Sequence, residues 1–152
     1  QLLREKCPFS LSLVGQQFSR RPEAFDSIQK SCGQSLVHFG YLKSKEEYLS
    51  VLHTADCVLS TAHHDFQGLA MMDAIALGCI PFAPNRLAYP EYIPAQNLFD
   101  VSDSPEKEGS NLAQKIKCYF ESPSQWDAVN LTSYSETELW PKYHSLLGIP
   151  ST

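Results

Sequence analysis

Positive charge is scarce in this chain. Its 152 residues carry 12 Lys and Arg against 17 Asp and Glu, a net charge of -5. Nonspecific attachment to nucleic acid relies on clustered Lys and Arg, so the surface of this chain is a poor match for a phosphate backbone. Long apolar runs are missing too: none approaches the ~20 residues needed to cross a bilayer as a helix. Arg4, Glu5 and Lys6 interrupt the early apolar stretch, so the opening residues do not read as a secretory signal. The five cysteines (Cys7, Cys32, Cys57, Cys79 and Cys118) form no CxxC pair and no zinc-finger spacing. They are expected to be buried, reduced thiols in a cytoplasmic protein, behaving as small hydrophobes. No G-x-G-x-x-G follows any predicted strand, which argues against a dinucleotide cofactor. Internal repeats and low-complexity segments are absent as well.

What is present suits one well-buried domain, since 43% of the residues are hydrophobic and the length is too short for two ordinary domains. The whole of 1–152 is therefore expected to be a single domain. Gln1 to Lys6 reads as the tail of a helix closed by Pro8, so the chain is expected to start inside a domain whose first segment lies upstream. Strands are predicted at Phe9–Val14, Leu36–Phe39, Cys57–Ser60, Cys79–Phe82 and Asn97–Asp100. Helices are predicted at Pro22–Ser31, Lys45–Ala55, Gly68–Leu77, Ser110–Glu121 and Ser135–Leu147, the last with Pro141 as a point of bending. Asp103–Gly109 reads as a polar loop. The Cys57–Ser60 segment lacks alternation, the mark of a strand buried on both faces. Strands alternating with helices predict the α/β class, a doubly wound, Rossmann-like parallel sheet.

In such sheets ligands bind at the carboxyl ends of strands, where helix N-termini present unpaired amides. The loop after the third strand, Ser60-Thr61-Ala62-His63-His64-Asp65-Phe66-Gln67-Gly68, crowds two His, an Asp and a Gly at such an end. The helix behind it, Gly68 to Leu77, is apolar on every side except at Asp73. An apolar helix of this kind is expected to be buried, and an ionised carboxylate there needs a partner. Two readings stay open for each acid. Asp65 is either a ligand-binding group or an N-cap for the helix; Asp73 either meets a ligand hydroxyl or bonds to amides of a neighbouring loop. His63 and His64 form a weak metal pair, because adjacent residues point in different directions and no third ligand is evident.

The order of motifs resembles the retaining glycosyltransferases of the GT-B fold, family 4 type, in their C-terminal, donor-binding domain. Those enzymes carry two acids separated by seven residues with a Gly-Leu step between, then a Gly-x-Pro turn and a later Glu. The corresponding series here is Asp65, Gly68-Leu69, Asp73-Ala74, Gly78-Cys79-Ile80-Pro81 and Pro90-Glu91. Three segments are similar to one branch, the tRNA-queuosine mannosyltransferases and their bacterial relatives: Val14-Gly15-Gln16-Gln17-Phe18, His38-Phe39-Gly40-Tyr41-Leu42, and Ser60 through Pro84-Asn85-Arg86-Leu87-Ala88-Tyr89-Pro90-Glu91.

The resemblance implies a donor site for a nucleotide sugar and hexosyl transfer, with GDP-mannose as donor and a tRNA queuosine-type acceptor. Asp65 would be the catalytic-site acid that binds sugar hydroxyls, with His64 beside it. The amides of Gly68, Leu69 and Ala70 would meet sugar and diphosphate. Asp73 would bind ribose hydroxyls, Gly15 and Gln16 would line the crevice, and Tyr41 and Leu42 would lie near the nucleobase. No metal and no further cofactor is implied, since an Arg and a Lys upstream of these residues neutralise the diphosphate in that family. The acceptor domain, with any tRNA contact, is likewise expected upstream, so the chain alone is expected to be inactive. One departure is that both family acids are usually Glu and both are Asp here, each about 1.5 Å shorter in reach. A catalytically degenerate, nucleotide-binding module is the alternative that this departure keeps open.

Overall fold

The computed structural model describes residues 8–15, 23–126 and 128–149. It forms two compact units, Gln1–Ala55 and Asp56–Thr152. The predicted opening helix, Gln16 and the Gln17-Phe18 pair lie outside the described residues.

The first unit is a βαβ arrangement followed by a helix. Strand β1 (Leu11–Val14) leads through helix α1 (Glu23–Cys32) to strand β2 (Leu36–Gly40), which runs parallel to β1. The register slips between Leu11 and Ser12, so that Ser12 opposes His38 and their side chains meet at 3.0 Å. Phe25 of α1 packs edge-on against Phe39 of β2, with ring centroids 6.1 Å apart. Helix α2 (Lys45–His53) starts where a Ser-x-x-Glu signature demands it. Ser44 Oγ accepts the Glu47 amide at 3.1 Å, and the Glu47 carboxylate reaches back to the Lys43 amide at 2.9 Å. This is a capping box displaced by one residue.

The second unit holds a three-stranded parallel sheet in the order β3-β4-β5, made of β3 (Cys57–Leu59), β4 (Ile80–Pro84) and β5 (Leu98–Phe99). Helix α3 (Leu69–Ala76) connects β3 to β4, and α4 (Pro105–Glu121) follows β5. Every pairing among the described strands is parallel, the α/β class that alternating strand and helix signals predict. The two faces of β4 are covered by different helices. Ala83 joins Met71 and Ile75 of α3 in a core with Tyr89, Tyr92, Ile93 and Leu98. Phe82 points to the other face, where it meets Tyr119 of α4 at 5.9 Å and Trp126 at 5.4 Å. Helix α5 (Glu136–Leu147) runs through Pro141 and closes on Gly148, whose positive φ of 64° suits a residue without Cβ.

Two prolines sit in the fully buried β4, an unusual setting for a residue without an N–H. The register resolves it. Even-numbered residues face β3: the Ile80 amide bonds Asp56 O and the Ser60 amide bonds Phe82 O, each at 2.9 Å. Odd-numbered residues face β5, where pairing begins only at Ala83. Pro81 therefore points to the β5 side before β5 starts, and Pro84 to the β3 side after the pairing with β3 has ended at Leu59 and Phe82. Neither missing donor interrupts the ladder. The Pro81 carbonyl is taken by Asn97 Nδ2 at 3.0 Å, and Asn97 is wholly buried.

Three sequence expectations are corrected. The segment 103–109 is not a loop. Ser104 caps α4 by accepting the Lys107 amide at 3.3 Å, Pro105 is its first residue, and Gly109 lies inside it with open space around it. Strand β3 is not buried on both faces; Leu59 is 41% exposed, on a strand at one edge of this sheet among the described residues. Cys7 lies outside the described residues, and the other four cysteines are not uniformly buried. Cys79 is buried, Cys32 and Cys57 are partly so, and Cys118 is exposed on α4. Burial pushes the Cys57 thiol up to about 12, with Asp56 adding to the effect, and so keeps it protonated.

The Asn97 bond yields a test. Asn97→Ala strands the buried Pro81 carbonyl and leaves a small void, and is expected to cost about 2 kcal/mol of stability. Urea unfolding followed by circular dichroism checks this; a change within ~0.5 kcal/mol would mean that the bond stabilises nothing.

Candidate functional site

The loop of residues 60–68 leaves the carboxyl end of β3 and delivers the chain into α3. Its course is set by side chains from the segment that follows β4. Arg86 lies partly buried between them. Its Nε donates to the Ala62 carbonyl at 3.0 Å, while its two terminal nitrogens grip both oxygens of Glu108 at 3.2 and 2.8 Å. Glu108 is 8% exposed and also accepts the Ser102 amide at 3.1 Å. That amide first, and then the guanidinium, hold its carboxyl below the ordinary value against the opposing effect of burial. A buried carboxylate with this many donors is fully paired. One arginine thus ties the loop after β3 to the first turn of α4.

Tyr89 makes the second tie. Its phenol donates to Asp65 Oδ2 at 2.8 Å and lies 2.7 Å from Ser60 Oγ. Burial raises the phenol's pKa, so the group remains a donor. Asp65 Oδ1 accepts the Gly68 amide at 2.7 Å and the Gln67 amide at 3.3 Å. Asp65 is therefore not the N-cap of α3, a position held by Gly68 without a side-chain cap bond; it closes a local turn on the two amides that precede the helix.

Gly68 itself is required by two independent constraints. Its φ is +70°, and a Cβ there would collide with the Tyr92 hydroxyl and stand 3.1 Å from Tyr89 Cε1. The Gly68 amide is spent on Asp65, whereas the amides of Leu69 and Ala70, at the start of α3, have no carbonyl one turn earlier in the helix to bond. The positive end of the α3 dipole points the same way.

Asp73 lies elsewhere than its surroundings in sequence imply. Helix α3 buries only Met71, Ala74 and Ile75; Leu69, Ala70, Asp73 and Ala76 are exposed on the opposite side. Leu69 is 63% exposed. The helix is apolar all round in sequence, yet only one side meets the sheet, so no buried carboxylate has to be paired. The desolvation argument for Asp73 fails, and its candidacy rests on its place in the second turn. His63 and His64 are exposed, as is Phe66 at 97%. Among the described residues, no group of three His, Cys, Asp or Glu could hold a metal ion.

In the first unit, Gly15, Tyr41 and Leu42 gather at one end of their own sheet. Gly15 follows β1 and Tyr41 follows β2, and the Gly15 amide donates to the Gly40 carbonyl at 3.0 Å. Tyr41 is exposed and Leu42 half-buried. Gln16 lies outside the described residues.

Sequence reasoning missed Ser60, Arg86, Tyr89 and Tyr92 as parts of the site. The string from Pro84 to Glu91 stood out as a motif, but nothing local said that it reaches back to the loop after β3. Tyr92 offers a clean probe of the packing, because its hydroxyl is buried without a partner. Tyr92→Phe is expected to leave stability unchanged or raise it by about 1 kcal/mol, and Gly68→Ala to lower it by more than 2 kcal/mol. Thermal unfolding of the two variants decides; a destabilised Tyr92→Phe would mean that the hydroxyl has a partner.

No family model matches the chain. Over 144 residues, 94% of its length, the chain is 39% identical to the tRNA-queuosine alpha-mannosyltransferase of Drosophila melanogaster. A match of that extent leaves out only a few residues at the ends, so it includes the loop after β3 and the segment that pins it. The chain spans 38% of that protein's length, and over this stretch it is a relative of a mannosyltransferase.

Proposed function

We propose that this chain is the donor-binding part of a retaining glycosyltransferase that moves a mannosyl group from GDP-mannose to a queuosine-type nucleoside of tRNA. The observation that carries the reading is the 39% identity over 94% of the chain to a tRNA-queuosine alpha-mannosyltransferase. The parallel sheet adds support, since its loop after β3 and the start of α3 have the arrangement in which α/β proteins bind anionic ligands.

In this reading the Leu69 and Ala70 amides face the diphosphate. As the bond between the anomeric carbon and the diphosphate oxygen breaks, negative charge grows on that oxygen, and fixed donors stabilise it. The acceptor hydroxyl forms the new bond on the same face of the sugar and gives its proton to the departing diphosphate oxygen. Asp65 accepts a sugar hydroxyl, and Asp73, on the open side of α3, accepts ribose hydroxyls. The basic pair that the family uses against the diphosphate has no counterpart at the matching motifs of this chain. The net charge of -5 favours assigning tRNA contact to the part of such an enzyme beyond the 38% that this chain spans.

One observation favours a second reading, the degenerate module. Asp65 stands where the family has Glu, and both of its oxygens are already engaged by Gly68 and Tyr89.

Calorimetric titration with GDP, GDP-mannose, UDP and UDP-glucose tests the proposal. The guanine ligands are expected to bind more tightly than the uracil ones. Asp73→Ala, an exposed substitution expected to change stability by less than ~0.5 kcal/mol, should weaken them about tenfold or more. Equal affinity for all four, or an unaffected Asp73→Ala, would sink the assignment.

A further inference from the structure

The hydrogen bonds around Asp65 limit what it can offer a ligand. An ionised carboxylate has about four lone-pair positions. Oδ1 receives two amides, from Gly68 and Gln67, and Oδ2 receives the Tyr89 phenol. One acceptor position is left, and it is on Oδ2. The direction of the chain of hydroxyls follows from proton counting. Tyr89 has one proton and gives it to Asp65, so at the 2.7 Å contact Ser60 is the donor to Tyr89. Ser60 Oγ in turn accepts the Ala62 amide at 3.2 Å. The run from the Ala62 amide through Ser60 and Tyr89 to Asp65 is one-way, and each bond polarises the next.

The phenol cannot swing away from this task. Tyr89 is 1% exposed, its ring packs at 6.3 Å from that of Tyr92, and Gly68 lies against both rings. Asp65 is itself only partly buried, so the residue is not sealed away from a ligand.

We propose that Tyr89, oriented by Ser60, is a positioning residue that holds Asp65 to a single acceptor position on Oδ2, and that this position takes one hydroxyl of a nucleotide-linked hexose. The ligand class rests on the donor-site reading above. What is added is the assignment of Tyr89 and Ser60, and recognition of one hydroxyl where a free carboxylate could take two.

The test compares GDP with GDP-mannose on the unmodified chain, on Tyr89→Phe and on Ser60→Ala, by calorimetry. Unmodified protein is expected to bind GDP-mannose more tightly than GDP. Tyr89→Phe, which keeps the ring and its packing, should weaken GDP-mannose about tenfold and leave GDP unchanged. Ser60→Ala should shift the same difference by a smaller factor, and it decides the matter alone if Tyr89→Phe does not fold. Equal losses for both ligands would reduce Tyr89 to a packing residue and overturn the proposal. So would an unmodified protein that binds the two ligands equally, although nucleotide binding would then stand. Failure to bind either ligand would overturn this proposal together with the donor-site reading.

Discussion

The arrangement around the loop after β3 depends on one arginine. Arg86 takes the Ala62 carbonyl with one nitrogen and the Glu108 carboxylate with two others, so three stretches distant in sequence share a single planar group. Lysine, with a compact charge and no fork, could not make these bonds together. Once Ala62 is held, Ser60 and Asp65 come within reach of the Tyr89 phenol. Gly68 can then turn at positive φ over the two tyrosine rings. Remove that tie and the remaining bonds would have to order nine loop residues by themselves, against a backbone cost of about 1–2 kcal/mol for each.

The site is consequently built in two layers with different chemistry. Beneath it lie buried tyrosines, a paired arginine and a glycine whose missing Cβ is the space that Tyr92 fills. Above it are exposed groups: His63, His64, Phe66, Leu69 and Asp73. Loop positions braced from below and open above are where binding residues concentrate, because a rigid scaffold spares a ligand the ordering entropy. Asp65 belongs to both layers. It closes the loop on itself and keeps one acceptor position, which makes it at once structural and available.

Much of this was legible in the chain. The alternation of short apolar segments with helical periodicity located the five strands and five α-helices of the described residues, with most boundaries within two residues. The one long error, at the start of α4, came from reading Gly109 and the charges of 103–108 as loop signals. Ser104 followed by Pro105 was the stronger signal, since a cap and an N1 proline start a helix that a later glycine only weakens. The loop of residues 60–68 was also legible, as the strand end where polar groups crowd before an apolar helix.

What periodicity could not reveal is which side of an element faces inward when every side is apolar. For α3 the residue types are nearly uniform around the helix, so sequence left Asp73 looking buried, while the sheet covers only the side of Met71, Ala74 and Ile75. The same limit applies to partners. That Tyr89 belongs to Asp65, Arg86 to Ala62 and Asn97 to Pro81 are facts of tertiary distance between residues 16 to 24 positions apart, and no local propensity encodes them. By itself the sequence determined the order and type of the elements, through hydrophobic period and capping chemistry, both of which act over a few residues. Only the tertiary structure decided which carboxylates are engaged and which are open, because that depends on where the chain meets itself.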